Sequence, residues 1–240
     1  MELKEIFKDN KIINTIFIPI GSNCEVSWFL QKNGLRKQAF PFDWSVTPME
    51  SVMKILNYIV NLKNNFTYEH FFKDSKILDE IWEGVQMLKE DNLIFLPPTK
   101  RLLFANDTDS PKLIDEIITP VFCKKYNILY PHDFSYKGEG DLKMVQTKYK
   151  RRFERLVKSL IFQDYNIIFL YNTSPLNEWQ RGQYEIAKRY IADNLEINFN
   201  LKFDDVSKLS SKYKISSLYS LSEFKHEYKN YLSKINENKK

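Results

Sequence analysis

The segment from Thr15 to Trp44, TIFIPIGSNCEVSWFLQKNGLRKQAFPFDW, constrains this chain more than any other stretch. Its apolar run, Thr15 to Ile20, stops at Gly21, and a helical pattern starts directly after Ser22-Asn23-Cys24. A strand that passes through a glycine into a helix is the building unit of layered α/β folds. It places Cys24, one of only two cysteines, at a helix N-terminus. There the helix dipole and free backbone N–H groups favour an anion, a thiolate included, so the position predicts a lowered thiol pKa.

The rest of the chain extends the same alternation. Ile16–Ile20 and Asn166–Tyr171 (NIIFLY) read as buried strands, expected as neighbouring or near-neighbouring parallel strands of one sheet. Helical spacing predicts helices over 24–32, 48–62, 142–160, 177–194 and the tail from 217, with Asn33-Gly34 closing the first of them. Phe40–Trp44 (FPFDW) reads as an extended, largely buried loop with Phe42 and Trp44 in the core, and Phe66–Phe72 as a short helix or lid. Leu93–Leu96 and Leu102–Ala105 read as short strands or one antiparallel hairpin, and Ile197–Phe203 as an alternating strand. Ser110-Pro111 reads as the start of a helix carrying Leu113, Ile117, Ile118 and Val121, with Cys123 a structural residue inside that pattern.

The fold expected is α/β: layered, with a mainly parallel sheet and flanking helices. Residues 1–206 form a single α/β domain, and 207–240 a helical tail packed on it with a frayed end. Hydrophobic residues make up 43% of the 240, enough for a substantial core and too many for a disordered chain. A net charge of +5 spread along the chain permits acidic or phosphate-bearing partners without requiring them. Two cysteines form no disulfide framework, no basic leader precedes an apolar segment, and no apolar run reaches the roughly 18 residues of a spanning helix. A cytoplasmic protein with no membrane partner is the expectation.

Ligands of α/β sheets lie beyond the strands' carboxyl ends, where Cys24 follows one strand and Asn172 the other. Among the three histidines, His70 sits in aromatic YEHFF and His226 in the charged tail. His132, in a loop beside Asp133, is the candidate base; its structural alternative is a loop residue capping local backbone. Cys24 has its own alternative, a small apolar residue packed under the helix. Asp43, flanked by aromatics, needs a partner, and Arg36 in the same block supplies one. The pair ties the helix exit to the FPFDW loop, with direct substrate contact as the other reading. Lys148, Lys150, Arg151, Arg152 and Arg155 form a basic helix face on which Arg152 and Arg155 are candidates for a phosphate or a glycan carboxylate.

Weaker signals point to glycan chemistry. Asp107-Thr108-Asp109 has the D-x-D form of glycosyltransferases, although beside Ser110-Pro111 these acids also suit a helix cap. Gly21-Ser22 resembles the nucleophile block of SGNH esterases, with Asn23 in place of the required Asp. No P-loop, dinucleotide fingerprint, HExxH or zinc-spaced Cys/His set is present, so no cofactor or metal is expected. The basic face lacks the glycine-aromatic pattern of an RNA-binding sheet, which disfavours nucleic acid.

The block Gly21, Cys24, Gly34-Leu35-Arg36 and Pro41-Phe42-Asp43-Trp44 resembles the N-terminal signature of a microbial family described as papain-like cysteine peptidases. Pro131-His132-Asp133-Phe134 and the segment from Tyr149 to Arg155 fit the same resemblance, which spans Ile16 to Tyr171. It implies a Cys24 nucleophile, His132 as its base and Asp133 or Asn172 orienting the imidazole, with a papain-like α+β fold as the alternative architecture. No Gln lies between Met1 and Cys24, so Ser22, Asn23 or backbone N–H groups would serve as oxyanion donors. Arg36, Asp43 and Arg152 complete the candidate binding residues. The function implied is a thiol hydrolase acting by acyl transfer on a small-molecule, peptide or glycan substrate. Its rivals are a glycan-handling enzyme and a non-catalytic binding module.

Overall fold

The computed structural model describes residues 2–8, 11–21, 24–63, 75–103, 112–162, 165–191, 202–212 and 217–237. In chain order these form α1 (Leu3–Lys8), β1 (Thr15–Pro19), α2 (Glu25–Lys32), α3 (Met49–Lys63) and α4 (Ser75–Val85). Then come β2 (Leu93–Phe95), β3 (Thr99–Leu103), β4 (Lys112–Ile118), β5 (Val121–Cys123), β6 (Ile128–Tyr130) and α5 (Leu142–Phe162). The chain continues with β7 (Asn166–Tyr171), α6 (Glu178–Lys188), α7 (Phe203–Lys212), β8 (Leu218–Ser220) and α8 (Leu221–Glu237).

The centre is a parallel sheet in the order β1-β7-β8, with Ile16 opposite Ile167 and Phe169 opposite Leu218. Side chains alternate across it, because successive residues of a strand point to opposite faces. Ile16, Ile18, Ile20, Phe169 and Tyr171 join the main core with residues of α3 and α5. Phe17, Ile168 and Leu170 face the other way, onto α1, α2 and α8. Both faces are therefore covered, which explains why β1 and β7 read as continuous apolar runs. Each fully buried Ile, Leu or Phe contributes roughly 1.5–3 kcal/mol of transfer free energy. The fold is α/β, with the expected parallel neighbours at its centre.

A second, antiparallel sheet, β2-β5-β6, packs Val121, Cys123, Ile128 and Tyr130 into the same core. Its other face, Phe122 and Leu129, meets Leu176, Tyr184 and Ala187 around α6. Tyr184 locks this junction by donating to the carbonyls of Val46 (3.1 Å) and Asn127 (2.7 Å).

Several local expectations are corrected. Residues 112–118 are a strand, paired with β3, and not a helix. The Leu113/Ile117 spacing fits a helix, but Ile114, Ile117 and Ile118 are β-branched and favour the pleated backbone once a partner strand is present. Cys123 is buried in β5 instead of a helix. The two short apolar runs after residue 92 do not pair with each other: β2 pairs with β5, and β3 with β4. Phe203, assigned to a strand end, opens α7, while 197–201 lie outside the described residues. Also outside them are Phe66–Phe72 and Asp107-Thr108-Asp109.

FPFDW is a tight turn and not an extended loop, with Asp43 N–H donating to Phe40 C=O at 3.2 Å. Trp44 at φ 63° holds a left-handed backbone that bulky residues rarely adopt, and it is half-buried, not core. Helix α4, whose Ile77, Leu78, Ile81 and Val85 fill the core at helical spacing, escaped the sequence reading.

Candidate active site

Strand β1 delivers the chain to Gly21, where φ reaches 117°. Ile20 N–H still bonds Leu170 C=O (3.0 Å), and Asn172 N–H bonds Gly21 C=O (3.3 Å), so the sheet register runs into the turn. Cys24 is the N-cap of α2, its carbonyl accepting from Trp28 N–H at 3.0 Å. At the other end α2 closes on Gly34, with Leu35 N–H reaching Leu30 C=O and Gly34 N–H reaching Gln31 C=O, the two bonds of a Schellman motif.

Cys24 is buried, 3% exposed, and its thiol is pushed up to about 12. Burial is the main cause, the neighbouring Glu25 charge adds to it, and a hydrogen bond to backbone opposes it. The lowered pKa expected at a helix start is therefore overturned: desolvation of the thiolate outweighs the dipole. Cys123 is raised to about 11 for the same first reason.

The other candidates gather in two groups. Beside Cys24, Asn172 donates its amide to Glu25 Oε2 (2.7 Å) and accepts from Ser174 N–H (3.1 Å). Lys225 of α8 holds the other Glu25 oxygen at 2.8 Å. The 43–47 segment reaches both sheets, Thr47 lying against Gly21 while Val46 bridges to Leu129 of β6.

In the second group Arg36 donates from Nε (2.9 Å) and Nη2 to Oδ2 of fully buried Asp43, the expected pair. Burial raises the Asp43 carboxyl, against the pull of Arg36 and then Arg152. Truncating Arg36 would leave that carboxylate buried and unpaired, a loss of roughly 3–5 kcal/mol. The Arg152 guanidinium lies 4.9 Å over the Tyr149 ring. Tyr149 in turn donates its hydroxyl to Asp133 Oδ2 (2.6 Å), whose other oxygen pairs with Lys148.

His132 is stacked on Trp179, ring centroids 6.0 Å apart and 12° from parallel. Its imidazole is pushed down to about 4, first by burial and then by the Arg101 charge, with Asp133 and Glu116 opposing. Its Nδ1 is buried without a hydrogen-bond partner, so neither Asp133 nor Asn172 bonds it there. Ser22 and Asn23 lie outside the described residues.

Two surface clefts of about 350 and 510 Å³, one beside Trp82 and the other beside Tyr219, are lined by neither Cys24 nor His132. Among the described residues no group of three or more His, Cys, Asp or Glu could hold a metal ion. None of the described helices is long and apolar enough to cross a membrane.

Sequence reasoning missed Glu25, Lys225, Tyr149, Arg101 and Trp179. Glu25, next to Cys24, and Tyr149, within the basic helix, were within local reach. Lys225 lies 200 positions from its partner and left no local signal.

A parallel α/β core with a cysteine at the helix start off its first strand defines the class of the chain. The family described as "Putative papain-like cysteine peptidase" matches residues 15–204, and the chain belongs to it. It is also similar to Uncharacterized protein R408 of Acanthamoeba polyphaga mimivirus, 24% identical over 216 residues covering 83% of this chain and 86% of the relative. No solved structure matches the chain significantly.

Proposed function

We propose that this chain is a thiol-dependent acyl-transfer enzyme of the hydrolase type, with Cys24 as nucleophile and His132 as base. The observation that carries the reading is the position of Cys24, directly off the carboxyl end of β1 in the parallel sheet and at the N-cap of α2. Family membership supports the same chemistry. Cys24 Sγ would attack a substrate carbonyl as its proton passes to the imidazole. The tetrahedral oxyanion would rest on the free N–H groups at the start of α2. Collapse breaks the bond to the leaving group, which takes the proton from the imidazolium, and water then hydrolyses the thioester.

The arrangement described above is the resting form, with thiol and imidazole both uncharged near neutrality. Substrate entry must relieve the burial of Cys24 and bring the ring to the sulfur. The test is acylation by an activated ester followed by peptide mapping. The adduct is expected on Cys24, unchanged in Cys123→Ala and slowed at least about 100-fold in His132→Ala, the usual scale of general-base loss. Adducts equally distributed over both cysteines, or insensitive to His132, would exclude the dyad.

One observation favours a second reading, a non-catalytic binding module: the buried, protonated thiol with no bond to His132. Under that reading Cys24→Ala retains full ligand binding and no acyl adduct forms at any substrate concentration.

A further inference from the structure

Three side chains that act on or include one imidazole each carry a buried nitrogen without a hydrogen-bond partner: His132 Nδ1, Trp179 Nε1 and Arg101 Nε. Trp179 stacks on the ring, and Arg101 is the strongest charge acting on it. They come from separate parts of the chain: Arg101 from β3, His132 from the segment after β6, and Trp179 from the first turn of α6. Buried polar atoms are nearly always paired in folded proteins, so a group of orphans assembled from distant elements calls for a missing partner.

Their chemistry specifies that partner. Arginine Nε–H and tryptophan Nε1–H only donate, and His132 Nδ1 donates whenever its proton sits there. The complement is an acceptor-only group carrying negative charge. Arg101 already takes one carboxylate, with Nη1 at 3.0 and 2.9 Å from the two oxygens of Glu116. That contact leaves the Nε side of the guanidinium fork unused, an edge whose planar geometry suits a carboxylate. All three side chains are only half-buried, so the cluster lies just beneath the surface.

We propose that Arg101, His132 and Trp179 form a binding site for a carboxylate carried by the substrate. Taking that ligand to be the substrate of Cys24 rests on the function proposed above. A carboxylate on Nδ1–H would also fill the place left open by Asp133 and Asn172. It would fix the tautomer that frees Nε2 as the base and stabilise the imidazolium, the task of the third member of a triad. The substrate class is then an acyl compound with a free carboxylate close to the scissile bond, as in the last residue of a peptide.

The experiment is an NMR titration of the histidine-labelled chain with acetate, which reads binding at His132 whether or not Cys24 is ever acylated. Saturable shifts of the His132 resonances are expected, with its titration midpoint rising by about one pH unit or more as the anion stabilises the charged ring. The His226 signals should stay fixed. Trp179→Phe keeps an aromatic ring against His132 while removing the N–H, and Arg101→Gln removes the charge. Each should weaken acetate binding about tenfold, as for a lost charge-assisted bond. Glu116→Gln frees Arg101 of its internal carboxylate and should tighten binding, an outcome that does not depend on Arg101→Gln folding. Unresponsive His132 signals, equal affinity in the wild type, Trp179→Phe and Glu116→Gln, or a response to inorganic phosphate at lower concentration than to acetate would each overturn the proposal.

Discussion

His132 carries a cost that depends on pH. Its imidazole titrates near 4 in the folded chain, against an ordinary value of 6.5. Between those values the unfolded chain binds a proton that the folded chain refuses. The contribution to stability is therefore complete above pH 6.5, declines as pH falls towards 4, and is flat below that. The difference amounts to roughly 3 kcal/mol. Urea denaturation at pH 7 and pH 4.5 should show the wild type losing most of that amount relative to His132→Gln; parallel losses in the two proteins would contradict the assignment. At this scale the sequence was legible wherever partners lie in one block. Arg36 and Asp43, seven residues apart, were paired correctly because a carboxylate among aromatics needs a cation and Arg36 stands in the same block. The protonation of Cys24 was not legible. The dipole of α2 is a local property, whereas the burial that overrides it comes from segments remote in the chain.

Among the elements, the turn from β1 to α2 tolerates the least change. A Cβ on Gly21 would lie 2.6 Å from the Thr47 carbonyl and 3.2 Å from the Tyr171 ring, at φ 117°. Gly34 has φ 66°, in the left-handed well, and nothing within 4 Å of its missing Cβ. Gly34→Ala should therefore cost only about 1–2 kcal/mol, the strain of an L-residue in that well. Gly21→Ala combines a steric clash with a backbone region open almost solely to glycine, and its loss should exceed about 3 kcal/mol. Thermal or urea denaturation of the two variants checks the order; equal losses would mean that the Thr47 segment gives way freely. The same scale explains the misread strand β4. Leu113 and Ile117 are 56% and 42% exposed, so no buried face imposed an alternating pattern on that stretch. Its pairing with β3 could be recognised only in three dimensions.

For the whole molecule, the last described segment is structural and not an appendage to the sheet. Strand β8 supplies the third strand, and Phe224 of α8 is fully buried against Phe7 and Phe17. Removing residues 217–240 would uncover Phe17, Ile168 and Leu170 and leave β7 with β1 as its one neighbour. The truncated chain should lose cooperative unfolding and bind a hydrophobic dye such as ANS; a sharp two-state transition near that of the wild type would show that the sheet stands without it. What the residue order determined by itself was local: two continuous apolar strands, the helix that starts at Cys24, its glycine stop and the Arg36–Asp43 pair. Each follows from side-chain chemistry and spacing within a few turns of backbone. The tertiary structure alone decided that β2 pairs with β5, β3 with β4 and β7 with β8, that Glu25 meets Lys225, and that Trp179 stacks on His132. It also decided that Cys24 rests as a buried thiol, because desolvation depends on what packs over a group, and those segments arrive from elsewhere in the chain.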